Sequence, residues 1–176
     1  MKELKNWDNK TWLSSSAYID TFISFLLKKK KLNKKSRILD IGCGRGKIFG
    51  SFSRKLKLTN KPIGIDPVCH KDVDRSINYK NEDVFKFFKN NQNKFDLIMI
   101  KQTLHFFNKD QRSKLIEICK KKLKKKGVLL IFSLNTSNNE IPCFKLMKQK
   151  LNSGLKRDSR MLKSACKILK DNKNNK

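Results

Sequence analysis

Apolar positions along the first three quarters of the chain switch repeatedly between helical spacing and short continuous runs. Tyr18, Ile19, Phe22, Ile23, Phe25, Leu26 and Leu27 recur at helical spacing after serines 14, 15 and 16, which offer N-caps, and lysines 28 to 31 close the segment as a helix. Residues 36–41 read as a strand, Ser36 and Arg37 leading into an apolar run from Ile38 to Ile41 that is broken only by Asp40. Residues 47–57 return to helical spacing, with Ile48, Phe52 and Leu56 on one face. Residues 62–66 read as a short strand ending in an acid, and 67–76 are polar with no helical stripe. Residues 77–79 make a third short strand. Asn81, Glu82 and Asp83 then cap a short helix carrying Val84, Phe87 and Phe88, and residues 95–100 are a fourth strand. Asn108 and Gln111 have the spacing of a capping box, ahead of a helix through Leu115, Ile118, Cys119 and Leu123 that stops at Gly127. Residues 128–132 are the fifth strand.

Strands alternating with helices at this spacing predict an α/β fold, a doubly wound and mostly parallel sheet with right-handed crossovers. Beyond residue 134 the rhythm changes to a polar loop at 135–140 and two helical patterns at 141–151 and 155–169. The expected organisation is a single domain: an N-terminal helical cap at 1–35, an α/β core at 36–134 and a C-terminal helical tail at 135–176. No internal repeat is present.

Composition narrows this picture. A chain of 176 residues buries roughly two thirds of the surface its unfolded form exposes. No apolar stretch reaches the roughly 20 residues of a membrane helix, and the first six residues lack a secretory pattern, so the expectation is a cytoplasmic protein without membrane contact. Five cysteines, at 43, 69, 119, 143 and 166, are odd in number and widely spaced, and only two histidines accompany them. Neither a disulfide frame nor a structural metal site follows, and the adjacent Cys69 and His70 lack two further ligands. Free thiols in a reducing compartment fit this usage.

The net charge of +28 invites a nucleic-acid partner, because clustered cations release counterions from phosphate backbones. The excess is mostly lysine, with much asparagine and isoleucine and little alanine, glycine or proline, the usage of an AT-rich genome. The lysine runs at 28–31, 34–35, 120–122 and 124–126, with Lys61 and Lys94, all precede predicted strands. They should crowd the amino-terminal edge of the sheet as solvated surface, with attraction to anionic partners as the other reading.

Candidate chemistry centres on residues 38–46, Ile-Leu-Asp-Ile-Gly-Cys-Gly-Arg-Gly. A strand breaking into Gly42, Gly44 and Gly46 can take positive φ and let a ligand lie against bare backbone. A dinucleotide fingerprint would need glycine where Lys47 stands, and a P-loop would need Ser or Thr at Ile48. An ordinary strand-turn-helix junction is the plain alternative. Asp40, two residues before the first glycine, suits a cationic ligand.

An acid two places before Gly-x-Gly-x-Gly resembles the first motif of the class I S-adenosylmethionine-dependent methyltransferases, and the resemblance extends over residues 36–134. It implies a Rossmann-like sheet of five parallel strands, lacking the sixth and seventh strands usual in the family, and S-adenosyl-L-methionine as cofactor. Around that cofactor it implies Asp40, Gly42, Cys43, Gly44 and Gly46 at the turn and Asp66 at the second strand end for the ribose hydroxyls. Asp83 and Val84 fall to the adenine, and Lys101 and Gln102 to the methionine portion. Leu104-His105-Phe106 resembles a segment found in small-molecule members, making His105 a candidate general base, with packing against the core as the other role. Asp66 and Asp83 could equally serve as turn or cap residues.

Residues 101–104, Lys-Gln-Thr-Leu, are not the Asn-Pro-Pro-Tyr type of amino-directed DNA enzymes, and the one Pro-Cys pair, Pro142-Cys143, lies after the fifth strand. The expected function is therefore methyl transfer to a small-molecule acceptor, with an RNA methyltransferase or a catalytically silent cofactor-binding protein as alternatives. Trp7, Trp12 and Tyr18 could form an aromatic lid. Without a sixth and seventh strand, the fifth would be an edge needing cover from the tail or from a partner.

Overall fold

A computed structural model of the chain describes residues 16–29 and 31–132. Its elements run α1 (Ser16–Lys29), β1 (Ile38–Ile41), α2 (Lys47–Leu56), β2 (Ile63–Ile65), β3 (Asn78–Lys80), α3 (Val84–Asn90), β4 (Phe95–Lys101), a 3-10 turn (Leu104–Phe106), α4 (Lys109–Lys121) and β5 (Leu123–Phe132). All five strands pair in parallel in the order β3-β2-β1-β4-β5. The chain builds outward from β1 in one direction and then crosses to the other side at β4. The carboxyl ends of β1 and β4 therefore flank the switch point where open α/β sheets bind ligands.

The central strands are apolar without alternation because helices cover both faces. On one face Ile38, Leu97 and Met99 pack with Phe22, Ile23 and Leu26 of α1 and Phe49 and Phe52 of α2. On the other, Leu39, Ile41, Ile98 and Ile100 pack with Val84, Phe87 and Phe88 of α3 and Leu115 and Cys119 of α4. Phe132 meets Phe22 edge-on at a centroid distance of 4.8 Å, which seats α1 over the end of β5. Both predicted caps form. Asp83 Oδ1 accepts from the amides of Phe85 and Lys86, and Asn108 and Gln111 complete a reciprocal capping box at 2.9 and 3.1 Å.

The end of α4 departs from expectation. The helix stops at Lys121 and β5 begins at Leu123, so Lys124, Lys125 and Lys126 belong to a strand. Lys122 turns the chain: its carbonyl accepts from the Phe95 amide at 2.9 Å and its Nζ donates to the Asn91 carbonyl at 2.6 Å. β5 then advances five residues, from Leu123 to Val128, while β4 advances two, from Phe95 to Leu97. This is an enlarged bulge. Gly127 sits within it instead of ending a helix, and a Cβ there would fall 2.7 Å from the Phe95 carbonyl oxygen.

Residues 67–76 form no helix, as their polarity implied. They are anchored by Asp74, whose Oδ1 accepts from Arg54 Nη1 at 2.8 Å and from the Ser76 amide at 2.9 Å. Packing is close enough that a Cβ on Gly50 would stand 2.2 Å from the Asp74 carboxyl carbon. The predicted tail helices, the cover of β5, Trp7, Trp12 and the Tyr18 side chain lie outside the described residues.

Candidate functional site at the carboxyl edge of the sheet

After Ile41 the backbone leans over β2: the amides of Gly42 and Cys43 both donate to the Ile65 carbonyl, at 2.8 and 3.1 Å. Gly42, Gly44 and Gly46 then take φ of +72°, +54° and +68°. An L side chain is strained in that region, so the glycine pattern reflects the turn itself. A Cβ on Gly42 would lie 2.0 Å from Thr103 Oγ1, and one on Gly46 2.1 Å from Ile77 Cδ1. At these two positions the missing side chains first admit the protein's own neighbours. Thr103 carries no motif in the sequence; its contact with Gly42 arises only when β4 folds beside β1.

Asp40 is 4% exposed, and its Oδ1 is buried with no hydrogen-bond partner. Burial pushes its pKa up to about 7, while Lys101 pulls it down and Asp66 adds a smaller upward push. Alternation along β4 places Lys101 on the sheet face of Met99, the register partner of Asp40. A buried carboxylate without a partner is costly, and this one stands directly before the glycine turn.

Asp66 is also buried, yet both of its carboxylate oxygens accept hydrogen bonds. Its Oδ2 accepts from the Gly44 amide at 2.9 Å and its Oδ1 from the Val68 amide at 2.9 Å, with His70 Nε2 3.8 Å from Oδ1. The carboxylate thus ties the glycine turn to the chain leaving β2. A carboxylate offers about four acceptor sites, so both oxygens retain capacity. Asn81 Nδ2 donates to the Asp66 carbonyl at 3.0 Å, which draws the start of α3 to the same edge. There Asp83 caps α3 through Oδ1, and Val84 is buried behind it as the first helical residue. Tyr79 closes the outer side by donating its hydroxyl to the Val68 carbonyl.

On the other side of the turn, Gln102 takes φ of +54° and its amide donates to the Phe132 carbonyl at 2.8 Å. Thr103 Oγ1 donates to the Lys101 carbonyl at 2.9 Å. His105 follows on the 3-10 turn, its Nε2 buried and without a partner and its ring 4.1 Å from that of Phe106. Burial lowers its pKa to about 4, so the imidazole is neutral at physiological pH and weakly basic. The fold thus brings Asp40, Gly42, Cys43, Gly44, Gly46, Asp66, Asp83, Val84, Lys101, Gln102 and His105 to one edge. A cleft of about 540 Å³, lined by residues including Arg37, Lys61 and Asn93, opens at the other edge.

A parallel sheet of this order with a glycine turn after its first strand is a Rossmann-like methyltransferase fold. Residues 12–170 match the methyltransferase domain family, and the chain belongs to it. Its fold is similar to that of the plantazolicin methyltransferase BpumL, crystallised with a pentazolic desmethylPZN analog and SAH. The two are 24% identical, with a TM-score of 0.64 over 93% of this chain and 62% of BpumL. It is also similar to a SAM-dependent methyltransferase from Archaeoglobus fulgidus, 23% identical with a TM-score of 0.54 over 68% of this chain and 55% of that one. The chain therefore spans less than two thirds of the length of BpumL. No curated protein matches the sequence.

Proposed function

We propose that the protein binds S-adenosylmethionine at the carboxyl edge of its sheet and transfers the methyl group to a small-molecule acceptor. The observation that carries this reading is Asp40, a buried carboxylate whose Oδ1 has no partner. A cationic ligand group supplies what is missing there, and the cofactor carries both an ammonium and a sulfonium. BpumL, similar in fold, was crystallised with SAH, the demethylated form of that cofactor. Residues 36–134 are the binding core in this reading, with 1–35 as cap and 135–176 as tail.

The cofactor supplies an electrophilic methyl group on a sulfonium. The chain's own part is to hold and orient. Asp40 receives the ammonium, with Lys101 and Gln102 beside the carboxylate of the methionine portion. The turn at Gly42, Cys43, Gly44 and Gly46 keeps side chains away from the path of the ligand. Asp66 accepts from the ribose hydroxyls with the lone pairs its own turn leaves. Asp83 turns its second oxygen to the adenine amine, and Val84 presents the first helical amide, a donor that has no partner within the helix. His105, neutral in its buried setting, accepts a hydrogen bond from the acceptor's nucleophile. Its low basicity makes orientation its main contribution.

A small acceptor is favoured because the lysine-rich segments lie away from the acids of the site. Among the described residues no helix is long and apolar enough to cross a membrane. Among the described residues Cys43, Cys69 and Cys119 are in no disulfide, which suits a cytoplasmic setting. Isothermal titration with S-adenosylhomocysteine tests the reading: micromolar binding by the wild type, lost in Asp66→Ala, supports it, and no heat or thermal shift with the wild type refutes it. Radiolabelled methyl transfer to small-molecule and RNA fractions of a cell extract then identifies the acceptor class.

A further inference from the structure

The second basic feature of the molecule is the edge opposite the glycine turn. The cleft of about 540 Å³ there is lined by the polar side chains of Arg37, Thr59, Asn60, Lys61, Asn78 and Asn93, together with apolar and aromatic ones that include Ile77 and Tyr79. Asn93 Oδ1 accepts from Arg37 Nη1 at 3.3 Å, and among the described residues no carboxylate pairs with that guanidinium. Thr59 is tied to the Lys34 carbonyl through its amide and its hydroxyl, at 2.8 and 2.9 Å, which brings exposed Lys34 and Lys35 to the rim. Lys94 is exposed beside Asn93. Asp96 stands at the same edge, where its Oδ2 accepts from the Arg37 amide and from Lys124 Nζ, both at 2.7 Å.

We infer that this cleft is an anchoring site for the phosphodiester backbone of single-stranded nucleic acid, separate from the methyl-transfer edge. Guanidinium and ammonium groups around a concavity match consecutive phosphates, and the asparagine and threonine side chains add hydrogen-bonding groups for sugar and base edges. The shape and composition argue against a lipid surface. Among the described residues the exposed large apolar side chains, Phe106 and Ile131, lie toward the carboxyl ends of β4 and β5 and not at this edge. The strand from Arg37 to Gly42 spans on the order of 16 Å, so phosphates held at this cleft sit that far from the methyl-transfer edge and serve as an anchor. Such a site would localise the enzyme without sequence preference, since backbone contacts carry none.

Fluorescence anisotropy with a labelled oligo(U) of about 20 nucleotides, from 50 to 200 mM KCl, tests this. The variant Arg37→Gln/Lys61→Gln removes two cleft cations, and Lys71→Gln/Lys80→Gln removes two exposed ones at the opposite edge. The expected result is micromolar binding by the wild type at 50 mM salt and at least tenfold weaker binding by the cleft variant. The slope of log affinity on log salt should flatten by about 1.4 in the cleft variant, and the control pair should change affinity less than twofold. Equal losses in the two pairs, or no binding by the wild type, overturns the inference; so does tighter, cleft-dependent binding to phosphatidylserine vesicles. If the double variant melts early by circular dichroism, Lys61→Gln alone should flatten the slope by about 0.7. Titration with S-adenosylhomocysteine runs in parallel, and oligonucleotide binding should persist whatever that ligand does.

Discussion

Replacing Asp40 by asparagine should stabilise the free protein and weaken its ligand at the same time. In the unfolded chain the carboxyl titrates near 3.8, and in the fold burial holds it at about 7. Between those values the folded protein keeps a proton that the unfolded chain has lost, so stability falls as pH rises through the interval. A gap of roughly three units at about 1.4 kcal/mol each amounts to roughly 4 kcal/mol, fully expressed by pH 8 and about half expressed at pH 5.5. Asparagine carries no such dependence. Urea unfolding of Asp40→Asn and wild type at the two pH values should therefore show the variant's advantage growing by about 2 kcal/mol from pH 5.5 to 8. Any pH-independent cost of burying the amide cancels in that difference. In the same proteins, S-adenosylhomocysteine should bind the wild type at least tenfold more tightly than the variant at pH 8, and the preference should shrink below pH 7 as Asp40 protonates. A stability difference that is flat with pH, or one that shrinks as pH rises, would refute the reasoning.

Three further outcomes follow from the same geometry. Asp66→Ala removes the acceptor of the Gly44 and Val68 amides and should cost about 2–3 kcal/mol in chemical unfolding besides abolishing S-adenosylhomocysteine binding; an unchanged midpoint would show that the turn does not depend on it. Gly42→Ala should lower stability by about 1–3 kcal/mol, through its positive φ and the clash with Thr103. Adding Thr103→Ala should recover only part of that loss, because the backbone strain stays, and full recovery in urea melts would contradict this. His105 is depressed to about 4 from 6.5 by burial, so the unfolded chain gains its proton first and stability drops as pH falls through that interval. His105→Phe should flatten this acid limb in melts from pH 7 to 4, and an unaltered limb would show that the imidazole titrates freely.

The strands were legible because residues buried on both sheet faces must be apolar in sequence, as in Ile38 to Ile41 and Phe95 to Ile100. The caps at Asp83 and Asn108 were legible because their hydrogen bonds close within three residues. What sequence reasoning missed is long-range. Lysines 124 to 126 favour a helix by propensity, but pairing of β5 with β4 draws them into a bulge whose Lys124 meets Asp96. Gly127 followed by a strand imitates a helix stop. Thr103 and Ile77 reach the glycine turn only through the order of the sheet, and Asp66 bonds Gly44 across 22 residues. No local pattern contains those contacts, so the candidate ligand residues were readable while the device that holds the turn was not.

The two edges of the sheet differ in how far the protein satisfies its own polar groups. At the amino edge Asp96 is bonded by Arg37 and Lys124, and Lys122 Nζ reaches the Asn91 carbonyl and Gln92 Oε1. At the carboxyl edge Asp40 Oδ1 and His105 Nε2 are buried and lack partners. Left alone, each such atom costs on the order of 1–3 kcal/mol, and neither is needed to close the core, since an apolar side chain at either place would pack without that cost. Violations of local consistency concentrated at one edge, among the described residues, mark that edge as a functional site. There a ligand of complementary charge relieves a desolvation cost that the fold already carries, whereas binding at the amino edge rests on exposed cations such as Arg37 and Lys61. The same reasoning separates Asp40 from Asp66: the engaged acid builds the turn, and the unengaged one is where a cation recovers the cost of burial.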